Sequence, residues 1–280
     1  MRLLFVMPHH CGDGDARYGS TSGRRAARAA CLRDSILSLH RTFGRGQMAI
    51  ADLRRGELVH ANGSAGVVVD VFVAAVPGAH CLDAADLPAG AFTPVLVDYD
   101  PAMLGLVCHG LIYKHAAAYD WICYLEDDIV ITDPHFFAKL AWFGARFGSE
   151  RLLLPNRYEV RDGAPGKVYI DVHASRTFAR PWHKPDDGPA LEAEFLGETV
   201  VFTRPNNPHA GCFALSRRQA EIWIAAPTFM DGDVSFVGPL ESMATLSVMK
   251  TFRIHKPALA NHSFLEVRHA DPRYYGVWFQ

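Results

Sequence analysis

Three consecutive carboxylates, Glu126, Asp127 and Asp128, lie within Tyr124-Leu125-Glu126-Asp127-Asp128-Ile129-Val130-Ile131, a run otherwise as apolar as a buried strand. Unpaired carboxylates at a buried strand end are costly or are driven to protonate. A divalent cation with oxygen ligands offsets that cost, so the cluster points to a metal site. Side chains on a strand alternate between faces, which puts Glu126 and Asp128 on one face and Asp127 on the other. Two acids are then free to converge on one ligand. The plain alternative is a strand-end turn with solvated acids.

Further groupings offer polar chemistry. Asn207-Pro208-His209-Ala210-Gly211-Cys212 leads into Phe213-Ala214-Leu215-Ser216, where the small residues Ala210 and Gly211 let a ligand approach the backbone. Gly211 reads equally well as a strand glycine beside a bulky neighbour. Gly238-Pro239-Leu240-Glu241 opens a helix with Glu241 in its first turn, where an acid complements the helix dipole. Asp231 and Asp233 lie in the loop before it. Among the histidines, His262 in Ala260-Asn261-His262-Ser263 is a candidate, with His255 and His269 as alternatives. Pro8, His9, His10, Asp13, Asp15, Arg17 and Tyr18 form a polar loop after the first apolar run, without a Gly-x-Gly-x-x-Gly or Walker pattern.

The elements that must position these groups alternate between strand and helix. Leu3 to Met7 reads as a central parallel strand. From Arg24 to Phe43, Ala29, Leu32, Ile36, Leu39 and Phe43 recur at helical spacing, with arginines on the other face. Val67 to Ala75 and Pro94 to Val97 are strands, the latter leading into Asp98 and Asp100. Leu104, Val107, Leu111 and His115 mark one stripe of a helix ending near Tyr119. Asp133-Pro134 fits an N-cap and first turn for a helix through Phe136, Phe137, Leu140, Gly144 and Phe147. Leu152 to Leu154 and Val168 to Val172 are further strand candidates. Residues 161–208 are proline-rich and read as an irregular flap, a candidate acceptor-binding region. The expectation is one α/β domain over 1–280, with a mostly parallel sheet, helices on both faces and ligands beyond the carboxyl ends of the strands.

Lys plus Arg number 28 against 30 Asp plus Glu, so no global field attracts a nucleic acid polymer. Cys11, Cys31, Cys81, Cys108, Cys123 and Cys212 show no CxxC pair and read as free thiols in a reducing compartment. The opening apolar run is too short for a signal peptide, and no later run reaches membrane-spanning length. A cytoplasmic location is expected, with peripheral membrane attachment compatible with the sequence. Oligomeric state is not legible.

Leu125-Glu126-Asp127-Asp128-Ile129 followed by Asp133-Pro134-His135-Phe136-Phe137 resembles the Glu-Asp-Asp stretch of GT-A glycosyltransferases, most closely the inverting N-acetylglucosaminyltransferase type. The close match covers about fifteen residues. The resemblance implies a Rossmann-like GT-A domain, with a nucleotide-sugar-binding half over 1–135 and an acceptor-binding half over 136–280. It implies a nucleotide-diphosphate sugar donor, a hydroxyl acceptor and a Mn²⁺ or Mg²⁺ cofactor. Asp128 would be the metal ligand, Glu126 the donor contact, and Asp127 a hydrogen-bonding support. His262 would complete the metal site from the C-terminal segment. Glu241 would be the base of an inverting reaction, with Asp231 and Asp233 as rivals. Pro8, His9 and His10 would cradle the nucleotide, while Arg17, Arg24 or Arg25 neutralises the pyrophosphate. His209 and Gly211 would lie beneath the donor sugar and acceptor. The alternatives are a nucleotidyltransferase acting on sugar phosphates, against which the acidic Asp13-Gly14-Asp15 counts, and a non-catalytic Ca²⁺-dependent carbohydrate-binding module.

Overall fold

The computed structural model describes residues 1–12, 22–44, 49–63, 66–171, 181–183 and 188–275. Its strands are Arg2–His9 (β1), Ala49–Asp52 (β2), Glu57–His60 (β3), Val68–Ala75 (β4), Thr93–Leu96 (β5), Trp121–Leu125 (β6) and Ile129–Val130 (β7). They continue with Arg151–Leu153 (β8), Asn156–Val160 (β9), Lys167–Tyr169 (β10), Leu191–Phe195 (β11), Glu198–Thr203 (β12), Cys212–Ser216 (β13), Arg253–Pro257 (β14) and Glu266–His269 (β15). Helices are Arg25–Phe43 (α1), Leu104–His115 (α2), Phe136–Phe147 (α3), Arg217–Ile224 (α4) and a segment over 239–249 (α5). In α5 the middle turns, Ser242–Leu246, are π-helical.

The central five-stranded sheet has the order β13-β6-β1-β4-β5. β1 runs parallel to β4 and β6, β5 runs parallel to β4, and only β13 is antiparallel. Alternation along β1 explains why both faces need cover. Leu3, Phe5 and Met7 join the apolar cluster that contains Leu32, Ile36 and Leu39 of α1 and Phe136, Phe137 and Leu140 of α3. Leu4 and Val6 join the other cluster, with Leu104, Cys108 and Ile112 of α2, Trp223 of α4 and Met243 of α5. This is the α/β layering that the sequence implies, with helices on both faces. From β1 the chain moves to β4 and β5 on one side and then to β6 on the other, so the loops after β1 and β6 part above the sheet. Ligands of open α/β sheets bind at such a switch point.

Several elements differ from expectation. The buried stripe of α2 is Leu104, Cys108 and Ile112, one position on from the expected one, because this helix is apolar nearly all round and periodicity cannot select a face. α3 begins at Phe136, since the Asp133 carboxylate accepts from the His135 N–H (2.8 Å) and holds the preceding turn. The stretch 161–208 is not irregular throughout. β11 and β12 form an antiparallel hairpin around Leu196 (φ 50°) and Gly197 (φ 85°), a left-handed pair suited to a two-residue turn. Leu191-Glu192-Ala193-Glu194-Phe195 carries the matching alternation, which the neighbouring prolines obscure. The β2–β3 hairpin is likewise not anticipated by the sequence reading. All six cysteines are free and buried, and among the described residues no helix is long and apolar enough to cross a membrane.

Candidate active site

The expected strand through the acidic cluster is two strands. β6 ends at Leu125 and β7 starts at Ile129 in a different sheet, with Glu126, Asp127 and Asp128 in the turn between, closed by Ile129 N–H donating to Glu126 O (3.1 Å). A turn abolishes two-residue alternation, so all three acids line one cavity, contrary to the predicted split of Asp127 from its neighbours. The turn is held from outside. Glu126 N–H donates to Gly211 O (2.8 Å), Ala270 N–H donates to Asp128 O (2.8 Å), and Ser35 Oγ of α1 donates to Ile129 O (2.6 Å).

The cavity has a volume of about 530 Å³ and opens where the loops after β1 and β6 part. Pro8, His9 and His10 come from the end of β1, Arg28 from α1, Glu241 from the first turn of α5, and Arg157 from β9. His209, His269, Arg273 and Tyr274 complete the functional lining. The expected Glu126, Asp127, Asp128, Glu241, Pro8, His9, His10 and His209 are therefore gathered in one place. Gly211 is not among the lining residues. Its φ is +64°, and a Cβ there would lie 2.9 Å from both Glu126 Oε2 and Ile129 Cδ1, so its bareness accommodates the acidic turn rather than a ligand. Arg17 lies outside the described residues.

His262 is also displaced from its expected role. It does not line the cavity, and its ring packs edge-on against Tyr169 at 4.5 Å between centroids. From the C-terminal segment the histidine that reaches the acids is His269, one of the two alternatives to His262, whose Nε2 is 3.6 Å from Asp128 Oδ2. Its Nδ1 donates to Glu159 Oε1 (2.8 Å), and Glu159, fully buried, also accepts from Tyr275 N–H (2.6 Å). Burial lowers the His269 pKa, but Asp128 and Glu159 overcome this and raise it to about 9. Burial likewise pushes Asp128 upward, yet His269, Arg28 and Arg273 hold it well below the ordinary carboxylate range.

Arg24 and Arg25 do not line the cavity either: Arg24 pairs with Asp271 (2.9 Å) and Arg25 with Asp83 (2.5 Å). Among the described residues the arginines at the cavity are Arg28, Arg157 and Arg273, none of which the sequence singles out. Arg28 is buried, in contrast to the solvated arginine face expected for α1, and donates to Asp127 Oδ1 and to Asp128 Oδ2 (3.2 Å). Arg157 forks onto Asp171, which also receives Lys256 Nζ (3.1 Å). His9 accepts Cys81 N–H at Nε2 (3.1 Å), so its Nδ1–H faces Asp127 Oδ2 at 2.5 Å. Both ring nitrogens are engaged, and His9 serves to hold Asp127 in place.

Among the described residues three buried carboxylate oxygens have no hydrogen-bond partner: Glu126 Oε1, Asp128 Oδ1 and Glu241 Oε2. Such atoms are expensive to leave unsatisfied. Among the described residues no group of three or more His, Cys, Asp or Glu side chains is placed to hold a cation by itself. The fit to a divalent ion is nevertheless good for two groups. Asp128 has a free oxygen, and His269 has the arrangement of a metal-binding imidazole, with Nδ1 fixed by a buried carboxylate and Nε2 turned to an acid beyond hydrogen-bond range. A hard cation held by one or two protein ligands takes the rest from substrate phosphates and water.

Proton binding at this site has a consequence for stability. Burial, then the adjacent Asp128 charge, raises Glu126 from 4.5 to about 8, and His269 rises from 6.5 to about 9. Both groups hold protons more tightly when folded, so their stabilisation is lost as pH climbs through these ranges. Between pH 6.5 and 9 the thermal midpoint of the ligand-free protein is expected to fall, each group contributing at most about 1.4 kcal/mol per pH unit. Glu126→Gln should melt higher than the wild type at pH 9, at the upper end of that range, with a shallower slope. A wild-type midpoint that stays level or climbs there would contradict this account.

No family model matches the sequence. No curated protein matches it either. Among solved structures, S. aureus TarS 1-349 in complex with UDP-GlcNAc superposes with a TM-score of 0.44 at 11% identity, covering 96% of this chain and 58% of that one. S. aureus TarS 1-349 in complex with UDP gives 0.43 at 10% identity, covering 96% and 60%. S. aureus TarS gives 0.41 at 14% identity, covering 91% and 35%. The chain thus spans less than two thirds of these TarS chains, and likeness of that depth carries no substrate or cofactor from them to this protein.

Proposed function

We propose that this chain is a metal-dependent glycosyltransferase of the GT-A kind, transferring a sugar from a nucleotide-diphosphate donor to a hydroxyl acceptor with inversion. The observation that carries the reading is the cavity at the sheet's switch point, where Asp128 and His269 face each other among three arginines and Glu241 joins them from α5. Asp128 and His269 would hold the cation. Bound there, it would supply Lewis-acid stabilisation of the departing diphosphate.

The protein's own groups do the rest. Arg28 and Arg273 surround Asp128 with fixed positive charge, suited to phosphate oxygens that gain charge as the glycosidic bond breaks. His9 and Arg28 hold Asp127 from two sides, which keeps the acidic turn from collapsing onto a ligand. Glu126 supplies a carboxyl oxygen to the sugar. Glu241 Oε2, buried and unpartnered, takes the proton of the acceptor hydroxyl.

Calorimetric titration with UDP and with GDP, each with and without Mn²⁺, tests the reading. Nucleoside diphosphate binding that is at least tenfold tighter with Mn²⁺ is expected. Carbohydrate binding that needs Ca²⁺ and ignores nucleotide would replace the transferase with a recognition module.

A further inference from the structure

The floor of the cavity contains a hydrogen-bond chain that the reaction scheme above does not use. Thr245 is fully buried within the π-helical turns of α5, and its Oγ1 lies 2.9 Å from His209 Nδ1. Widened turns of this kind recur at functional sites. Among the described residues, that imidazole nitrogen is the one hydrogen-bond partner of the Thr245 hydroxyl. A buried O–H needs an acceptor, so Thr245 donates to Nδ1 and the ring proton resides on Nε2. Burial and the nearby Arg157 keep the imidazole neutral. His209 therefore presents an N–H donor to the cavity.

That donor faces Glu126 Oε1 at 3.8 Å, too far for a direct hydrogen bond, and Glu126 Oε1 is one of the unpartnered buried oxygens. The gap is bounded by a donor on one side and, on the other, by an oxygen that accepts whether Glu126 is ionised or carries its proton on Oε2. A hydroxyl fits it in one sense only, accepting from Nε2–H and donating to Oε1. An ether or a carbonyl at the same place leaves Glu126 Oε1 unpaired, and a hydrogen leaves both partners unpaired.

We infer that His209 and Glu126 clamp a single hydroxyl of the transferred sugar, and that Thr245 is the positioning residue that fixes the polarity of the clamp. This rests on the nucleotide-sugar reading above. The donor sugar is the favoured source of the hydroxyl because Glu126 lies two residues from Asp128, the group assigned to the diphosphate side. The consequence is specificity. A donor lacking that hydroxyl should be discriminated against by about tenfold or more, since its binding strands two buried polar atoms.

The experiment compares wild type, Thr245→Val and Thr245→Ser, with Mn²⁺ present. Affinities for UDP, UDP-glucose, UDP-galactose, UDP-N-acetylglucosamine and GDP-mannose select the donor, and its monodeoxy analogues then locate the hydroxyl. The wild type and Thr245→Ser should discriminate against one monodeoxy analogue, Thr245→Val should lose that discrimination, and all three should bind the bare nucleoside diphosphate equally well. Retained discrimination in Thr245→Val overturns the inference, as does a parallel loss of diphosphate affinity, which indicates packing alone. If Thr245→Val does not fold, the ¹⁵N shifts of His209 in the wild type decide, and a proton on Nδ1 overturns the inference. Uniform tolerance of every deoxy analogue by the wild type assigns the gap to a buried water. Failure of the wild type to bind any nucleoside diphosphate is a separate result, which removes the donor assignment itself.

Discussion

Asp128→Asn is expected to lower Mn²⁺-dependent turnover of the donor by about a thousandfold, the scale on which a preorganised electrostatic group aimed at developing charge contributes. The side chain keeps its shape and loses the charge that, on the proposed function, would bind the cation. Its removal leaves few charges stranded, because Arg28 retains Asp127 and His269 retains Glu159. His269 can also discharge once the acid beside it is gone, as Asp128 is one of the two groups that raise its pKa. The stability cost should therefore stay near about 1–2 kcal/mol rather than the 3–5 kcal/mol typical of breaking a buried pair outright. Donor hydrolysis measured beside a thermal melt separates the two effects. Turnover within tenfold of the wild type, in a variant that melts normally, would remove Asp128 from the centre of the mechanism.

The fold was largely legible, and the site only in part, for reasons that specific residues make plain. Leu3 to Met7 and the spacing of Leu32, Ile36 and Leu39 record burial directly, because a covered strand face and an amphipathic helix each leave a periodic trace. The acidic cluster was visible as chemistry, but its geometry was not. The strand-like character of Tyr124 to Ile131 hides a change of sheet at Glu126, and nothing in those residues marks where β6 ends. Gly211, whose backbone accepts from Glu126, gave the only hint, and it was open to two readings.

The cations were harder to find. Arg28, Arg157 and Arg273 come from α1, β9 and the C-terminal segment, and their proximity depends on tertiary packing that carries no local pattern. On α1 the same residue type occurs both buried and exposed, Arg28 against Arg33 and Arg41, so composition cannot tell them apart. The histidine that faces Asp128 is His269, an alternative to His262 seven positions along the chain, and the sequence could not choose between them for a related reason. Chain distance points only to the C-terminal segment, while which of its histidines turns to the acids depends on Glu159, a buried carboxylate on β9 that fixes one ring nitrogen of His269 and leaves the other toward Asp128.

Glu241→Gln is expected to reduce sugar transfer by about 10²–10⁴ while leaving Mn²⁺-dependent UDP affinity unchanged, because the amide fills the same space and cannot take a proton. The geometry favours Glu241 over its rivals. Asp231 and Asp233 are each bound to Lys250 Nζ at 2.6 Å and do not line the cavity. Asp100 does line it, yet one of its oxygens caps the following turn by accepting from Ala102 N–H (2.9 Å). Of these four acids, and among the described residues, Glu241 alone combines a place at the cavity with a buried oxygen that no protein donor satisfies. Asp233→Asn, which should weaken the Lys250 pair but spare transfer to within about threefold, provides the matching comparison for a surface ion pair. If Glu241→Gln transfers sugar at the wild-type rate with UDP affinity intact, proton removal must pass to Asp100, and Asp100→Asn then becomes the variant that stops the reaction.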